Sequence, residues 1–182
     1  MKLVGISGAL RKASTNTGTL RALRDLLPAH ATMEIVTLHG IPLFDEDLIA
    51  AHGKPEIVLA LAERIRAADG LIIATPEYQF SVPGVLKNAT DWLSTCNKPF
   101  RWKRAGIVGS SEGAMAGTAR AQYHLRQNLQ ALEAITMPRP EVLIVHNEVK
   151  FDKTTGDLTD GETRQRLAKW LTAFLEWVEK KP

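Results

Sequence analysis

The sequence predicts an α/β fold in which five parallel strands form a doubly wound sheet with helices on both faces. Two observations indicate this class. Apolar runs of strand length alternate five times with segments that have the helical spacing of apolar residues. The runs, such as Leu71-Ile72-Ile73-Ala74, lack polar alternation, which is typical of parallel strands buried on both faces. With 182 residues, 45% of them hydrophobic, we expect one domain spanning 1–182.

Each strand is placed at an apolar run, and each helix at the following segment whose apolar residues recur every three or four positions. The predicted strands are Lys2–Ser7, Met33–Leu38, Gly70–Thr75, Ala105–Ser110 and Glu141–Val145. The predicted helices are Thr17–Leu27, Pro55–Ala68, Pro83–Ser94, Gly117–Leu132 and Asp160–Lys180. Helices between parallel strands make right-handed crossovers. Five strands and five helices in about 180 residues match a doubly wound, flavodoxin-like sheet with strand order 2-1-3-4-5.

Two helix starts have specific signals. Pro83 falls in a predicted first turn, where a missing N–H breaks no hydrogen bond. Thr159-Asp160-Gly161-Glu162 fits a capping box, with Thr159 as the N-cap and Glu162 at the third helical position.

Composition excludes several protein classes. The single cysteine, Cys96, excludes a disulfide within the chain and favours a reducing compartment. The N-terminus lacks a signal peptide, and no run approaches the roughly 18 apolar residues of a membrane span. We therefore expect a cytoplasmic protein with no membrane contact.

The net charge of +3 is spread along the chain. The densest stretch of basic residues, 98–104, is better explained as a solvated loop than as a nucleic-acid site.

The loop after the first strand has the composition of a phosphate-binding loop. A helix start presents unpaired N–H groups and the positive end of its dipole. Arg11 adds a forked cation, and Ser14, Thr15 and Asn16 add short donors. The loop contains neither G-x-x-x-x-G-K-[ST] nor G-x-G-x-x-G, so NTPase and dinucleotide fingerprints are absent. An ordinary capped turn without a ligand is equally consistent with this segment.

The loop after the third strand carries aromatic residues between two prolines. Pro76 and Pro83 stiffen it, and Glu77, Tyr78 and Gln79 lie between them. Such a segment suits a flat heterocycle whose edge is bound by backbone groups and whose face is covered by an aromatic ring. The alternative is a rigid turn whose aromatics cap the sheet.

The loop after the fourth strand is rich in small residues. Ser110, Ser111, Glu112 and Gly113 belong to a segment with three glycines that enters the next helix. Glycines permit the close approach of backbone to a ligand, although a mobile surface turn has the same composition. Because the carboxyl ends of parallel strands share one edge, the three loops converge there.

Other chemistries lack their motifs. The five histidines are scattered, and neither H-E-x-x-H nor a Cys/His cluster occurs, so we expect no metal. No G-x-S-x-G elbow accompanies an Asp and His in the order of a hydrolase triad, which disfavours hydrolysis.

The three loops resemble those of the NADPH-dependent FMN reductase family, the flavodoxin-like quinone and chromate reductases. The matching segments are 8–16, 75–92 and 113–127, so the resemblance covers nearly the whole chain. Two positions depart from the family pattern. Ala9 stands where the family usually has serine, and Gln79 where it usually has asparagine.

The resemblance implies an FMN cofactor and NADPH or NADH as reductant. It assigns the FMN phosphate to Arg11, Ser14, Thr15 and Asn16, one side of the ring to Pro76, Glu77, Tyr78 and Gln79, and the other side to Ser110, Ser111, Glu112 and Gly113. It also implies a homodimer or homotetramer. Because the flavin carries the chemistry, no catalytic side chain is assigned.

The leading hypothesis is an enzyme that passes a hydride from NAD(P)H through FMN to a quinone, flavin, azo compound or oxyanion such as chromate. Arg11 and Arg120 are candidates to reach the 2′-phosphate of NADPH. One alternative is a flavodoxin-type electron carrier. The pI of about 9.1 disfavours it, because such carriers often bind their protein partners through an acidic surface. Another is a binding protein that kept the fold and lost the cofactor.

Overall fold

The computed structural model describes residues 1–113 and 116–180, and in this part of the chain the sheet has six strands. They are β1 (Lys2–Ser7), β2 (Thr32–Thr37), β3 (Gly70–Ala74), β4 (Arg104–Ser110), β5 (Ile135–Thr136) and β6 (Val142–Ile144). The order is β2-β1-β3-β4-β5, with β6 also paired to β4, and every pair is parallel. The predicted flavodoxin-like order is therefore confirmed.

The predicted fifth strand, 141–145, forms as β6, and the two-residue β5 is an additional strand that was not predicted. β5 pairs with the start of β4, whereas β6 pairs with its end, from Val108 opposite Val142 to Ser110 opposite Ile144. Pro138 and Pro140 lie between the two strands. Proline has no N–H to donate to a strand ladder, so the pairing is interrupted there.

The helices flank the sheet. They are α1 (Thr15–Asp25), α2 (Glu46–His52), α3 (Glu56–Ala67), α4 (Gly84–Ser94), α5 (Ala119–Ala131), α6 (Asn147–Lys150) and α7 (Gly161–Glu179), with a 3₁₀ turn at Ala116–Thr118. The five predicted helices all form. The short α2 and α6 were not predicted, since α2 buries no residue and α6 has only four residues, too few for a periodic pattern.

Helix starts differ from the predictions by one or two residues. Asp160, not Thr159, is the N-cap of α7, because its carboxylate accepts the Thr163 N–H at 2.7 Å. The Thr159 hydroxyl instead donates to the Lys150 carbonyl, so the predicted capping box was wrong. Pro83 is the N-cap of α4 and precedes its first turn.

The core has two layers, one on each face of the sheet. One layer lies under α3, α4 and α5 and contains the fully buried Trp92, whose indole N–H donates to the Pro42 carbonyl. The other lies under α1 and α7, where Trp170 and Phe174 stack at 5.2 Å. Within the described ranges, no helix combines the length and the apolarity that crossing a membrane requires.

Candidate functional site

An open cleft of about 450 Å³ lies at the carboxyl ends of β1, β3 and β4. Ligand pockets typically enclose roughly 300–1,000 Å³. Ten of the twelve predicted site residues line it: Arg11, Ser14, Thr15, Asn16, Pro76, Glu77, Tyr78, Ser110, Ser111 and Glu112. Ala9, Arg120 and Asn147 complete the lining, whereas Gln79 and Gly113 do not belong to it.

The β1–α1 loop forms an anion cradle. Ser14 caps α1 by accepting the Thr17 N–H, and the Gly18 N–H goes to the Ser14 carbonyl. No described residue accepts a hydrogen bond from the backbone N–H of Thr15 or Asn16, so both donors are available at the positive end of the helix. Arg11 lines the cleft and forms no ion pair with the described residues.

The cradle is hydrogen-bonded to the end of β4. The Asn16 amide donates to the Ser110 carbonyl at 3.1 Å and accepts the Ser110 N–H at 2.9 Å. The Thr15 and Ser110 hydroxyls are 2.8 Å apart. The side-chain amide therefore ties the start of α1 to the end of β4, and the backbone N–H of Asn16 faces the cleft side of the helix start without a partner among the described residues.

The β3–α4 loop makes a tight turn beside the cleft. Tyr78 and Ser81 exchange two backbone hydrogen bonds, of 3.2 and 3.1 Å. The two residues between them, Gln79 and Phe80, have φ angles of 48° and 61°. Gln79 therefore sits at the tip of the turn, which explains why it does not line the cleft.

A buried carboxylate joins this loop to α5. Glu77 is 7% exposed, and its Oε1 lies 2.5 Å from both Nε and Nη2 of Arg120. Its other oxygen accepts the Ala121 N–H at 3.1 Å. The Arg120 guanidinium also covers the Phe80 ring, 4.1 Å from its centroid. The charge of Arg120 is thus compensated by Glu77, which the sequence pattern did not indicate.

The β4–α5 loop contributes an unsatisfied hydroxyl. Ser111 Oγ is buried and has no hydrogen-bond partner in the described structure. The next turn is held by Glu148, which accepts the Gly113 N–H at 3.2 Å. Hydrogen bonds from its own backbone N–H, from His146 and from Gly113 hold the pKa of Glu148 below its usual range. Residues 114 and 115, inside the predicted loop, lie outside the described residues.

Asn147 is the site residue that sequence reasoning missed entirely. It is the first residue of α6, it is buried, and its Nδ2 donates to Thr15 Oγ1 at 2.9 Å. No motif surrounds it, and the four-residue helix leaves no periodic signal.

The arrangement suits a ligand with a flat ring and an anionic tail. One end of the cleft has a cation, helix N–H groups and hydroxyls, and the other has a rigid loop with an aromatic side chain. Among residues 1–113 and 116–180, no cluster of three His, Cys, Asp or Glu side chains could hold a metal ion.

Similarity to known proteins extends over nearly the whole chain. A sequence model of the family described as NADPH-dependent FMN reductase matches residues 1–148. An NAD(P)H-dependent FMN reductase from Pseudomonas aeruginosa is 44% identical over 181 residues, which cover 99% of this chain and 96% of that protein. A quinone reductase from Escherichia coli is 44% identical over 186 residues, with the same coverage of each.

A solved structure shows the same likeness. The flavoenzyme NAD(P)H:(acceptor) oxidoreductase (FerB) from Paracoccus denitrificans superposes with a TM-score of 0.85 at 30% identity. The match covers 98% of this chain and 97% of that one.

Proposed function

The chain belongs to the NADPH-dependent FMN reductase family, and on this premise we propose that it binds FMN in the cleft and uses NAD(P)H to reduce a quinone-type acceptor. The observation that carries the proposal is that the three loops form one cleft. This cleft combines an anion cradle with a flat, aromatic-lined slot.

The residues present fit FMN. The free N–H groups of Thr15 and Asn16, with Arg11, match a phosphate monoester that carries up to two negative charges. The buried Ser111 hydroxyl lacks a partner, and a buried polar group without one calls for a ligand or water. Ala9, which replaces the usual serine, removes one hydroxyl from the cradle but leaves these donors in place.

When bound, FMN supplies the redox chemistry, taking a hydride from the nicotinamide and passing two electrons to the acceptor. The chain's own residues bind and orient. Pro76 and the Tyr78–Ser81 turn give the slot a rigid wall. Glu77 is held by Arg120 and the Ala121 N–H, so its role is to fix this wall rather than to move a proton. The positive end of α1 favours negative charge in the cradle.

We propose that NADPH and NADH both serve as reductants. Arg120, one of the two cations considered for a 2′-phosphate, is paired with Glu77 and covers Phe80. Arg11, the other, belongs to the cradle assigned to the FMN phosphate. These contacts leave neither guanidinium for the selection of NADPH. We expect KM values for the two nucleotides within about tenfold of each other, a difference of about 1.4 kcal/mol at most.

Quinones are the acceptors that the named relatives support, and flavins, azo compounds and chromate remain our wider proposal. We also propose that the protein is cytoplasmic and forms a homodimer or homotetramer. Its single cysteine, which is free and buried, supports a reducing compartment.

The test is a visible spectrum of the purified protein before and after anaerobic addition of NADPH and, separately, NADH. We expect a flavin band that bleaches with either nucleotide and returns when a quinone is added. Arg11→Met should weaken retention of the flavin, whereas Arg24→Met, at the far end of α1, should not. A flavin band that persists with both nucleotides would favour an electron carrier. No band after incubation with FMN would refute the proposal.

A further inference from the structure

Asn147 holds a position that only the folded chain creates. It is 8% exposed and lies 132 residues from Thr15 in the sequence, yet the two side chains form a hydrogen bond of 2.9 Å. Its backbone is also fixed, because its N–H donates to the Ser111 carbonyl at 3.1 Å. The preceding residue, His146, has a left-handed backbone with φ 53° and ψ 48°, which few residues adopt without support.

Three side chains form a chain of hydrogen bonds: Asn147, Thr15 and Ser110. The Asn147 amide donates to Thr15 Oγ1, and the Thr15 and Ser110 hydroxyls are bonded to each other at 2.8 Å. All three residues line the cleft.

Counting the protons on the two hydroxyl groups shows that one of them has no acceptor within these hydrogen bonds. The two hydroxyl groups carry two protons, and one of them occupies the bond between Thr15 and Ser110. Asn147 approaches Thr15 with its N–H, so it cannot accept the second proton. No other described residue accepts a hydrogen bond from either hydroxyl. One hydroxyl proton in the cleft wall is therefore without a partner, whichever of the two residues bears it.

We propose that Asn147 is a positioning residue that directs this hydroxyl proton toward the phosphate group of FMN. The inference rests on the proposed function, because it assumes that FMN occupies the cleft. By approaching Thr15 Oγ1 with its N–H, the amide holds that hydroxyl in place and offers the spare proton no acceptor in the cleft wall, so the proton is left for a ligand. The cradle thereby gains a side-chain donor besides Arg11 and the helix N–H groups, and it favours a phosphorylated flavin over riboflavin.

A purely structural role makes a different forecast. If Asn147 only held the loops together, its loss would loosen the whole cleft and weaken every flavin equally. If it positions a donor to the phosphate, its loss weakens FMN and leaves riboflavin, which has no phosphate, nearly unchanged. The ratio of the riboflavin Kd to the FMN Kd separates the two roles.

The experiment measures both Kd values by flavin fluorescence on apoprotein at one ionic strength. For Asn147→Ala we expect the ratio to fall about tenfold, the usual scale for one hydrogen bond to a charged group. For Asn147→Asp we expect a fall of about a hundredfold or more, because the carboxylate accepts the spare proton and repels the phosphate. Riboflavin should bind within about threefold of wild type to the alanine variant.

Two controls test the assignment. Asn88→Ala removes an amide that binds Pro42 and Phe44 away from the cleft, and it should leave the ratio unchanged. Thr15→Val removes the middle hydroxyl, and in that background Asn147→Ala should have no further effect on the ratio. If the Asn147 variants do not fold, Thr15→Val alone tests the hydroxyl donor, and an unchanged ratio for that variant overturns the inference.

The outcomes are distinguishable. Equal weakening of both flavins by Asn147→Ala, or wild-type behaviour of Asn147→Asp, overturns the inference and leaves the proposed function standing. A wild-type protein that binds neither flavin overturns the proposed function and this inference with it.

Discussion

At the scale of single residues, the Tyr78–Ser81 turn concentrates backbone strain beside the cleft. Gln79 and Phe80 both have positive φ, which a two-residue turn of this kind tolerates best in Asn and Gly. Each such residue costs of order 1–3 kcal/mol. Contacts from α5 hold the turn in place: Arg120 covers Phe80, and His124 is hydrogen-bonded to Ser81 at 3.0 Å.

Replacing Gln79 by Asn should relieve part of this strain, since Asn enters the left-handed region more readily. We expect Gln79→Asn to raise the stability by about 0.5–1 kcal/mol, or roughly 1–4 °C in Tm. The same exchange at Gln130, inside α5, should lower it slightly because Asn is the poorer helix former. Calorimetry on both variants measures the shifts, and a lower Tm for Gln79→Asn would contradict the account.

The Glu77–Arg120 pair should contribute measurably to stability, because the carboxylate is almost fully buried. Glu77→Gln leaves the guanidinium without its counter-charge. We expect a loss of about 1–2 kcal/mol, less than for a fully buried pair since Arg120 is 39% exposed. Glu63→Gln is the matched control: Glu63 is 73% exposed in its pair with Arg66 and should change stability by less than about 0.5 kcal/mol. Urea unfolding measures the change in stability for both variants, and equal losses would contradict a specific contribution of the Glu77–Arg120 pair.

At the scale of elements, the segment 151–158 packs against the β1–α1 loop. It is a short hairpin closed by a bridge between Phe151 and Leu158. Gly156, with φ 72°, lies against Ala13, and its carbonyl faces Gly18 in α1. A Cβ built on Gly18 would lie 1.7 Å from that carbonyl oxygen. Glycine is required here because two backbones meet.

Gly18→Ala should therefore destabilise the protein, although alanine is normally the better helix residue. We expect a loss of at least about 2 kcal/mol and weaker FMN retention, since either the hairpin or the cradle must move. Gly84→Ala, at the first position of α4, meets no atom within 4 Å and should gain up to about 1 kcal/mol. Changes of opposite sign in the free energy of unfolding, measured with a denaturant, would support the packing argument. An unchanged stability of Gly18→Ala would refute it.

The same hairpin should make the fold sensitive to acid. A hydrogen bond from Arg21, with another from Thr155, holds the pKa of Asp157 below its usual range. Backbone hydrogen bonds from Thr155 and Thr154 do the same for the pKa of Asp152. Such carboxyls stabilise the folded chain above their unfolded pKa of about 4, and this stabilisation disappears as the pH falls through the folded pKa.

We therefore expect Tm to be steady near neutral pH and to fall as the pH drops below about 4. Asp157→Asn should lower Tm at pH 7 and make the decline with acid shallower, because one of the titrating groups is gone. A thermal melt at each pH measures this. An unchanged slope for Asp157→Asn would show that the hairpin carboxylate is not responsible.

The predicted elements succeeded where a periodic pattern was long enough. β1 and β3 begin at the predicted residues, because each of them coincides with a continuous apolar run. β5 escaped prediction because Ile135–Thr136 is too short to give an apolar run. The N-cap of α7 was misplaced because Thr159 and Asp160 are both good caps, and only the fold shows that Thr159 is bound to Lys150.

At the scale of the whole molecule, strand order accounts for what was predictable in the site. Loops after β1, β3 and β4 must share one edge, so their residues were found from the sequence. Asn147 and the pairing of Glu77 with Arg120 were not, because both depend on how helices beyond those strands pack back on the edge.

Several large apolar side chains on the surface are candidates for the interface of the homo-oligomer that we propose. Tyr78 and Phe80 are each 56% exposed, Tyr123 is 50% exposed and Leu43 is 81% exposed. Large apolar residues that are exposed together on a surface often mark an interface. We expect light scattering to give two or four times the chain mass of 20.0 kDa, and Tyr123→Glu to shift it toward one chain. A wild-type mass of one chain would refute the homo-oligomer.

The bonds between Thr15, Ser110 and Asn147 join residues 95 and 132 positions apart, which also bears on how the protein is made. During synthesis the first strand is made early, but the cleft wall cannot close until residue 147 has been synthesised. At about 5–20 residues per second this takes roughly 7–30 s. A nascent chain therefore makes its first βα units before the wall of the proposed FMN site can close.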